Sequence, residues 1–449
     1  MFKDIWWEKL KNEVILNNLC TQCGSCVGLS NKTLEFRNIK DNLVPVRIKS
    51  KVLDKDCYSG CPARFCNYPN LNFEIFGKTP ENWLCGNVIQ SYIGYSKDRE
   101  IRRNSASGGV TTSLLVELLE SGKIQGAICI QTGRTTSYKS EPIIAKTSEK
   151  IRLCSQSVYS LTPTNTIIEK IKDVKGPLAF VGLPDQVASI RKLQSLGNPE
   201  ALKIKYIIGL YMGTQMHLSA ISGFLKPYGV KSLDEISKLN YRAGEWPGYL
   251  SIILKSGEEI KVEKFYYNYL IPLFITQNSL QIMDFTNELA DISIGDAWSP
   301  KYENKGKGYS VVLGRTRTGI NILKDLEDQD KLSIDKIPLD KALEMHGHML
   351  DFKKRGSFIR NSWNSIQPDY GYEPVFIPSS RLFIEYILYF IFTLGKLNFI
   401  RNLVTSLPIS VVGPTFNFIR KSWKSISKPT KRKGLKELEF RITNSSHNE

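Results

Sequence analysis

Three cysteines fall in one short run, Leu19-Cys-Thr-Gln-Cys-Gly-Ser-Cys-Val27. The C-x2-C-x2-C spacing wraps one turn of backbone round a compact inorganic core and points three thiolates inward. A segment of this kind is organised by its metal rather than by a large apolar core. The bacterial ferredoxin run continues through x3-C-P to a fourth cysteine. Here that position is Ser30, so a cluster needs a thiolate from elsewhere, and Cys57, Cys61 and Cys66 offer one. Cys61 is followed by Pro62, the usual closing pair of such sites, and is the expected fourth ligand; Cys57 is the runner-up. One [4Fe-4S] cluster on Cys20, Cys23, Cys26 and Cys61 is therefore expected. Zinc is the main alternative, although zinc ribbons pair two C-x2-C knuckles and the second is missing. The third reading is no metal.

The rest of the cysteine count points the same way. Seven of the nine cysteines lie at or before Cys85, which reads as metal binding rather than a disulfide scaffold. Cys129 reads as a plain core residue, and Cys85 and Cys154 are uncommitted. The N-terminus shows no apolar core of a signal peptide, so a reducing cytoplasm is expected. At 449 residues there is room for two or three domains. The net charge is +17, and ten Lys or Arg against three Glu follow from Arg401 onward. The bland reading of that tail is a solvated, weakly ordered end. No nucleic-acid motif accompanies it, so nucleic acid is not an expected partner.

Residues 1–85 are turn-rich, with little helical periodicity after Asp41 and a turn-like Asn67-Tyr-Pro-Asn70. From Ser91 the texture changes. Ile124–Ile130, Pro177–Gly182 and Ile204–Tyr211 read as buried strands, with helices expected at Val110–Glu120 and Gln186–Leu196. Strands alternating with helices argue for an α/β domain. Leu250–Leu254, a Ser256-Gly257 turn and Glu259–Glu263 read as a hairpin. After about residue 375 the chain becomes apolar and aromatic. The run Tyr386–Leu394 is about half the roughly 20 residues a membrane span needs. An amphipathic helix packed on the protein is the default expectation, and peripheral docking at a membrane surface is the second.

Two loops suit an anionic ligand. Ser105-Ala-Ser-Gly-Gly109 precedes an expected helix, where small residues and the helix dipole favour a phosphate group. Val181-Gly-Leu-Pro-Asp-Gln-Val187 leads from a strand into a helix, the place where parallel sheets bind ligands. Each is equally well explained by helix capping when taken alone. Asp291 and Asp296 flank a short strand and either orient a ligand or cap turns. His217, His346, His348 and His447 have no convincing context.

Taken together, the motifs between Tyr92 and about Gly356 resemble the coenzyme F420 hydrogenase/dehydrogenase beta subunit family. The carrying residues are Gly94–Asp98, Ser105–Gly109, Leu118–Gly122, Gly182–Val187, Tyr241-Arg-Ala-Gly-Glu-Trp-Pro-Gly248 and Ala290-Asp-Ile-Ser-Ile-Gly-Asp-Ala-Trp298. Relatives include 7-hydroxymethyl chlorophyll a reductases and many uncharacterised proteins associated with bacterial surface-polysaccharide synthesis. The resemblance implies an oxidoreductase in which FAD exchanges electrons with iron–sulfur clusters. A ferredoxin-type protein would donate them and a small organic molecule would accept them. On this resemblance Ser105, Ser107, Gly108 and Gly109 hold the flavin phosphates, Ser157 and Tyr159 lie near the nucleotide, and Gly182, Pro184 and Gln186 line the flavin loop. The implied architecture is α/β with α+β elements. It comprises a small ferredoxin-like domain (1–85), a mixed-sheet flavin-binding domain (86–356), and a helical C-terminal extension with a basic tail (357–449). Many relatives carry four further cysteines where this chain has Asp185, Met212, Ser279 and Ile282. Their joint absence implies that a second cluster is not built. It leaves open a non-redox or non-catalytic protein on the same fold.

Overall fold

The structure is a computed structural model. It describes residues 4–263, 265–436 and 439–443, with the backbone alone from 426 to 436. Near the N-terminus, β1 (Leu34–Ile39) and β2 (Asn42–Arg47) form an antiparallel hairpin. A small apolar cluster gathers there from Leu10, Val14, Leu19, Leu34, Leu53 and Tyr58.

One eight-stranded sheet organises the centre. Its early strands are β3 (Gln90–Ser96), β4 (Gly126–Thr132), β5 (Ser140–Ala145), β6 (Leu178–Gly182) and β7 (Ile204–Leu210). Three strands then leave to make a separate antiparallel sheet: β8 (Ile236–Ala243), β9 (Tyr249–Leu254) and β10 (Glu259–Glu263). The chain returns with β11 (Ile292–Asp296), β12 (Ser310–Gly314) and β13 (Leu332–Ile337). The sheet order is β13-β3-β12-β11-β7-β6-β4-β5. Its middle four strands, β11, β7, β6 and β4, are parallel, and antiparallel strands finish both sides. Ile128 and Phe180 enter the apolar layer on one face, Ala127, Cys129 and Ala179 that on the other. Burial on both faces explains why these strands read as unbroken apolar runs.

The α/β reading therefore holds, with a mixed sheet. The helix Val110–Glu120 forms with the expected bounds. The next expected helix begins two residues early, at Pro184, because proline fits the first helical turn where no N–H is needed. The β9–β10 hairpin forms with Ile253 opposite Glu259. The expectation of little helix after Asp41 is corrected at Tyr68–Phe76. Asn67 caps that helix by accepting the Asn70 N–H at 3.0 Å, and Pro69 sits in its first turn. A cap plus an early proline resembles a turn in sequence, and here it starts a helix.

The C-terminal region differs more. Helix Gly347–Ser362 is largely buried although it carries Lys353, Lys354, Arg355 and Arg360. Past it, β14 (Tyr372–Pro374) pairs with β15 (Phe440–Ile442). Phe440 packs between Trp83 and Phe358, at ring separations of 5.8 and 5.2 Å. The basic tail is thus helical through Lys436 and tied back by a strand, rather than a loose end. The apolar stretch forms helix Ser379–Gly395 and then Asn398–Thr405, bent by 80°. Among the described residues no single helix is long and apolar enough to cross a membrane. A helix packed on the protein is expected here, and it does pack, but through Arg381 and Glu385, while Phe383, Tyr386 and Phe390 face outward.

Candidate cofactor site

Positive φ at Gln22 (62°) and Gly24 (102°) curls the cysteine run. Gly24 is required here: a Cβ would meet the Thr166 nitrogen at 2.7 Å and the Pro163 oxygen at 2.9 Å. Gly28 is equally tight against the Asn165 oxygen, at 2.6 Å. The run is therefore pressed onto the segment 163–166. Cys20, Cys23, Cys26 and Cys61 are close enough to oppose one another's ionisation, and burial raises every one of their pKa values. Burial and the neighbouring Cys61 push the Cys23 thiol up to about 12. Cys57 also rises to about 12, first through burial and then through Asp54, with no cysteine among the main causes. Cys61 bears on the ionisation of Cys20, Cys23 and Cys26, and Cys57 also bears on that of Cys26. Among the described residues no three His, Cys, Asp or Glu side chains converge as they would round a single ion.

A short polar bridge leads from this loop to a large cleft. Ser25 Oγ lies 2.6 Å from Ser189 Oγ and accepts from Asn165 Nδ2 at 2.9 Å. The same Asn165 amide donates to the Gln186 carbonyl at 3.0 Å, and Gln186 Nε2 donates to the Thr162 carbonyl at 3.0 Å. Thr162, Thr164 and Gln186 line the cleft, whose volume is about 2740 Å3. Small-ligand pockets commonly measure about 300–1,000 Å3, so there is room for a dinucleotide.

Seven of the nine residues expected at the flavin line this cleft: Ser105, Ser107, Gly109, Ser157, Tyr159, Gly182 and Gln186. Gly108 and Pro184 do not. Gly108 is small because a Cβ would strike the Gly94 oxygen at 2.4 Å, so it serves the contact between its loop and β3. Pro184 opens its helix instead of facing the cavity. Two hydroxyls are also committed locally. Ser105 donates to the Ile101 carbonyl at 2.6 Å, and Ser107 and Ser310 share a 2.8 Å hydrogen bond. The donors better placed for an anion are the N–H groups of Val110, Thr111 and Thr112. They precede the first bond of the helix, from Ser113 N–H to the Gly109 carbonyl, and all three residues line the cleft.

Sequence reasoning missed the clamp that joins these loops. Arg242 is buried and bridges the Asp296 carboxylate at 2.9 Å and the Ala106 carbonyl at 2.5 Å. Asp296 raises the Arg242 pKa against the opposing cost of burial. The signal was present, because Arg242 and Asp296 both sit inside quoted motifs; their partnership spans 54 residues and has no local signature. Trp246 and Trp298, from the same two motifs, pack with centroids 4.9 Å apart and their rings tilted by 42°. His346 was also passed over. Its Nε2 donates to the Asp296 carbonyl at 2.7 Å, and its ring rests on Tyr211 and Phe285.

Asp185, Met212, Ser279 and Ile282, the four positions singled out by the resemblance, are all buried. Met212 and Ile282 are apolar fillers, as a core requires. Ser279 and Asp185 instead join a polar network. Ser279 accepts the Gln215 N–H at 2.8 Å through its hydroxyl and the Lys353 ammonium at 2.7 Å through its carbonyl. Burial raises the Asp185 carboxyl to about 6, and Thr21 and Lys353 partly offset that.

Models of known families match the middle of the chain. The N-terminal part of the coenzyme F420 hydrogenase/dehydrogenase beta subunit matches residues 91–169, and its C-terminal part matches residues 176–339. The chain belongs to this beta subunit family. A coenzyme F420-dependent sulfite reductase of Methanocaldococcus jannaschii is 23% identical over 385 residues, covering 80% of this chain and 54% of the relative. The chain thus spans about half the length of that protein. The coenzyme F420 hydrogenase beta subunit of Methanothermobacter thermautotrophicus is 28% identical over 239 residues, covering 51% of this chain and 78% of the relative. A chain of the F420-reducing [NiFe] hydrogenase complex from Methanosarcina barkeri superposes with a TM-score of 0.50 at 20% identity. It covers 64% of this chain and 97% of that one. This last likeness concerns the fold alone.

Proposed function

We propose that the protein is an iron–sulfur flavoprotein oxidoreductase. Cys20, Cys23, Cys26 and Cys61 would hold one [4Fe-4S] cluster, and the cleft would hold FAD. Electrons would enter from a ferredoxin-type donor and leave to a small organic acceptor, and surface-polysaccharide synthesis is the setting that the resemblance offers. The observation that carries the reading is the grouping of four thiols, Cys23 buried and Cys20, Cys26 and Cys61 half-buried, one polar bridge away from a dinucleotide-sized cleft. Four thiols in one desolvated place cannot all ionise without compensating positive charge, which iron would supply. On the cleft side, the chain's own contribution is positioning. The first turn of Val110–Glu120 offers N–H groups to a pyrophosphate, Arg242 and Asp296 fix the facing loops, and Gln186 clamps the wall between the two cofactors.

The second reading is a non-redox protein on this fold, favoured by the closed packing round Asp185, Met212, Ser279 and Ile282. Anaerobic purification separates the two. The first reading expects broad absorption near ~400 nm, about four irons per chain and released FAD. A colourless, flavin-free protein after anaerobic reconstitution selects the second.

A further inference from the structure

More than half of the large apolar side chains exposed among the described residues fall between Val375 and Ile419, about a tenth of the chain. Helix Ser379–Gly395 is turned inside out. Arg381, Glu385 and Phe392 lie on its protein-facing side, and Arg381 and Glu385 are fully buried. Phe383, Tyr386, Phe390 and Leu394 recur at helical spacing on the outer side, with Phe383 66% and Phe390 60% exposed. The surface continues across the 80° bend to Phe399, 74% exposed, and onto the last helix at Phe418, 72% exposed. Water is a poor environment for such a face, and monomeric proteins rarely leave apolar surface of this extent uncovered.

We propose that this face docks on an anionic lipid bilayer, with the helices lying in the interface rather than crossing it. Charge selects this occupant. The buried Glu385 is the single acidic residue from Phe376 to Lys436, whereas Arg420, Lys421 and Lys424 follow directly on Phe418 and Ile419. The same helix goes on to carry Lys428, Lys431, Arg432, Lys433 and Lys436. An apolar face bordered by a basic helix is the composition that binds anionic interfaces. A second copy of this chain would bring like charge against like. The helices also form one wall of the cleft, through Leu388, Ile391, Phe416 and Ile419, so docking would set the cleft beside the lipid.

The test is co-sedimentation of the full chain with vesicles of phosphatidylcholine alone or mixed with phosphatidylglycerol. Binding to the mixed vesicles is expected, falling in high salt because exposed charges are screened beyond about 8–10 Å. The triple variant Phe383→Ser, Phe390→Ser, Phe399→Ser should partition at least about tenfold less, since three rings leave the interface together. Its circular dichroism and melting temperature should match the parent, because all three side chains are exposed. Failure of the parent to bind mixed vesicles would overturn the proposal, as would equal binding by the variant. A dimer seen by light scattering that the variant dissociates, without vesicle binding by either, would assign the face to self-association instead. None of these outcomes depends on iron or flavin content, so the docking surface and the redox reading stand or fall separately.

Discussion

Two buried polar regions meet near Asp185, and they are built on opposite principles. The cysteine loop gathers four like groups whose ionisation is mutually unfavourable. Lys192, which binds the Cys61 carbonyl at 2.9 Å, is the nearest charge that eases Cys61. The wall behind helix Gly347–Ser362 supplies its own partners. Lys354 pairs with Glu288, Arg381 with Asp351 at 2.8 Å, and Arg360 and Arg381 with Glu385. Burying a charge costs several kcal/mol unless it is paired; these charges of the second region carry their own counter-charges, whereas the thiols of the first raise one another's pKa values.

The largest expected effects test the dependence of the first region on iron. Cys26→Ser or Cys61→Ser should abolish most iron incorporation after anaerobic reconstitution, measured as iron per chain. Cys57→Ser should leave it near the parent value. If Cys57→Ser loses the iron and Cys61→Ser keeps it, the grouping read from the structure is wrong.

In the second region the expected effects are on stability. Glu385→Gln leaves Arg360 and Arg381 sharing a deep site with too little negative charge, which should cost about 3–5 kcal/mol in chemical unfolding. A loss under 1 kcal/mol would mean that the network is hydrated and not closed. Ile282→Val deletes one methylene from a buried filler and should cost about 0.5–1.5 kcal/mol.

The first region was the more legible of the two in sequence, because its information is local. Three thiols at fixed spacing and a Cys-Pro pair announce themselves within one turn of chain. The same holds for the parallel strands and for Val110–Glu120, where period and capping agree. The second region was not legible. Lys353-Lys354-Arg355 looks like a solvated face, and its partners Ser279 and Glu288 lie 74 and 66 residues away. The outer face of Ser379–Gly395 is the mirror case: its apolar residues read as a packing surface, and the charged pair Arg381 and Glu385 does the packing. Arg242 was legible as part of a motif but not as a clamp, since nothing local ties it to Asp296.

The finest probe of whether the second region is closed is its pH dependence. Burial, reinforced by Arg360, lowers the Lys353 ammonium to about 7, and Asp185 and Asp284 pull the other way. An unfolded lysine titrates near 10.4. Between pH 7 and about 10 the unfolded chain therefore holds a proton that the folded chain has released. Stability rises with pH wherever the unfolded state binds more protons. Lys353→Met removes this titration, so the parent should gain on the variant by about 1 kcal/mol per pH unit across that window. Chemical unfolding at pH 7, 8 and 9 measures the gap. Parallel curves would mean that Lys353 stays charged in the fold, held by Asp185, and that the two regions share one electrostatic centre rather than dividing the labour between them.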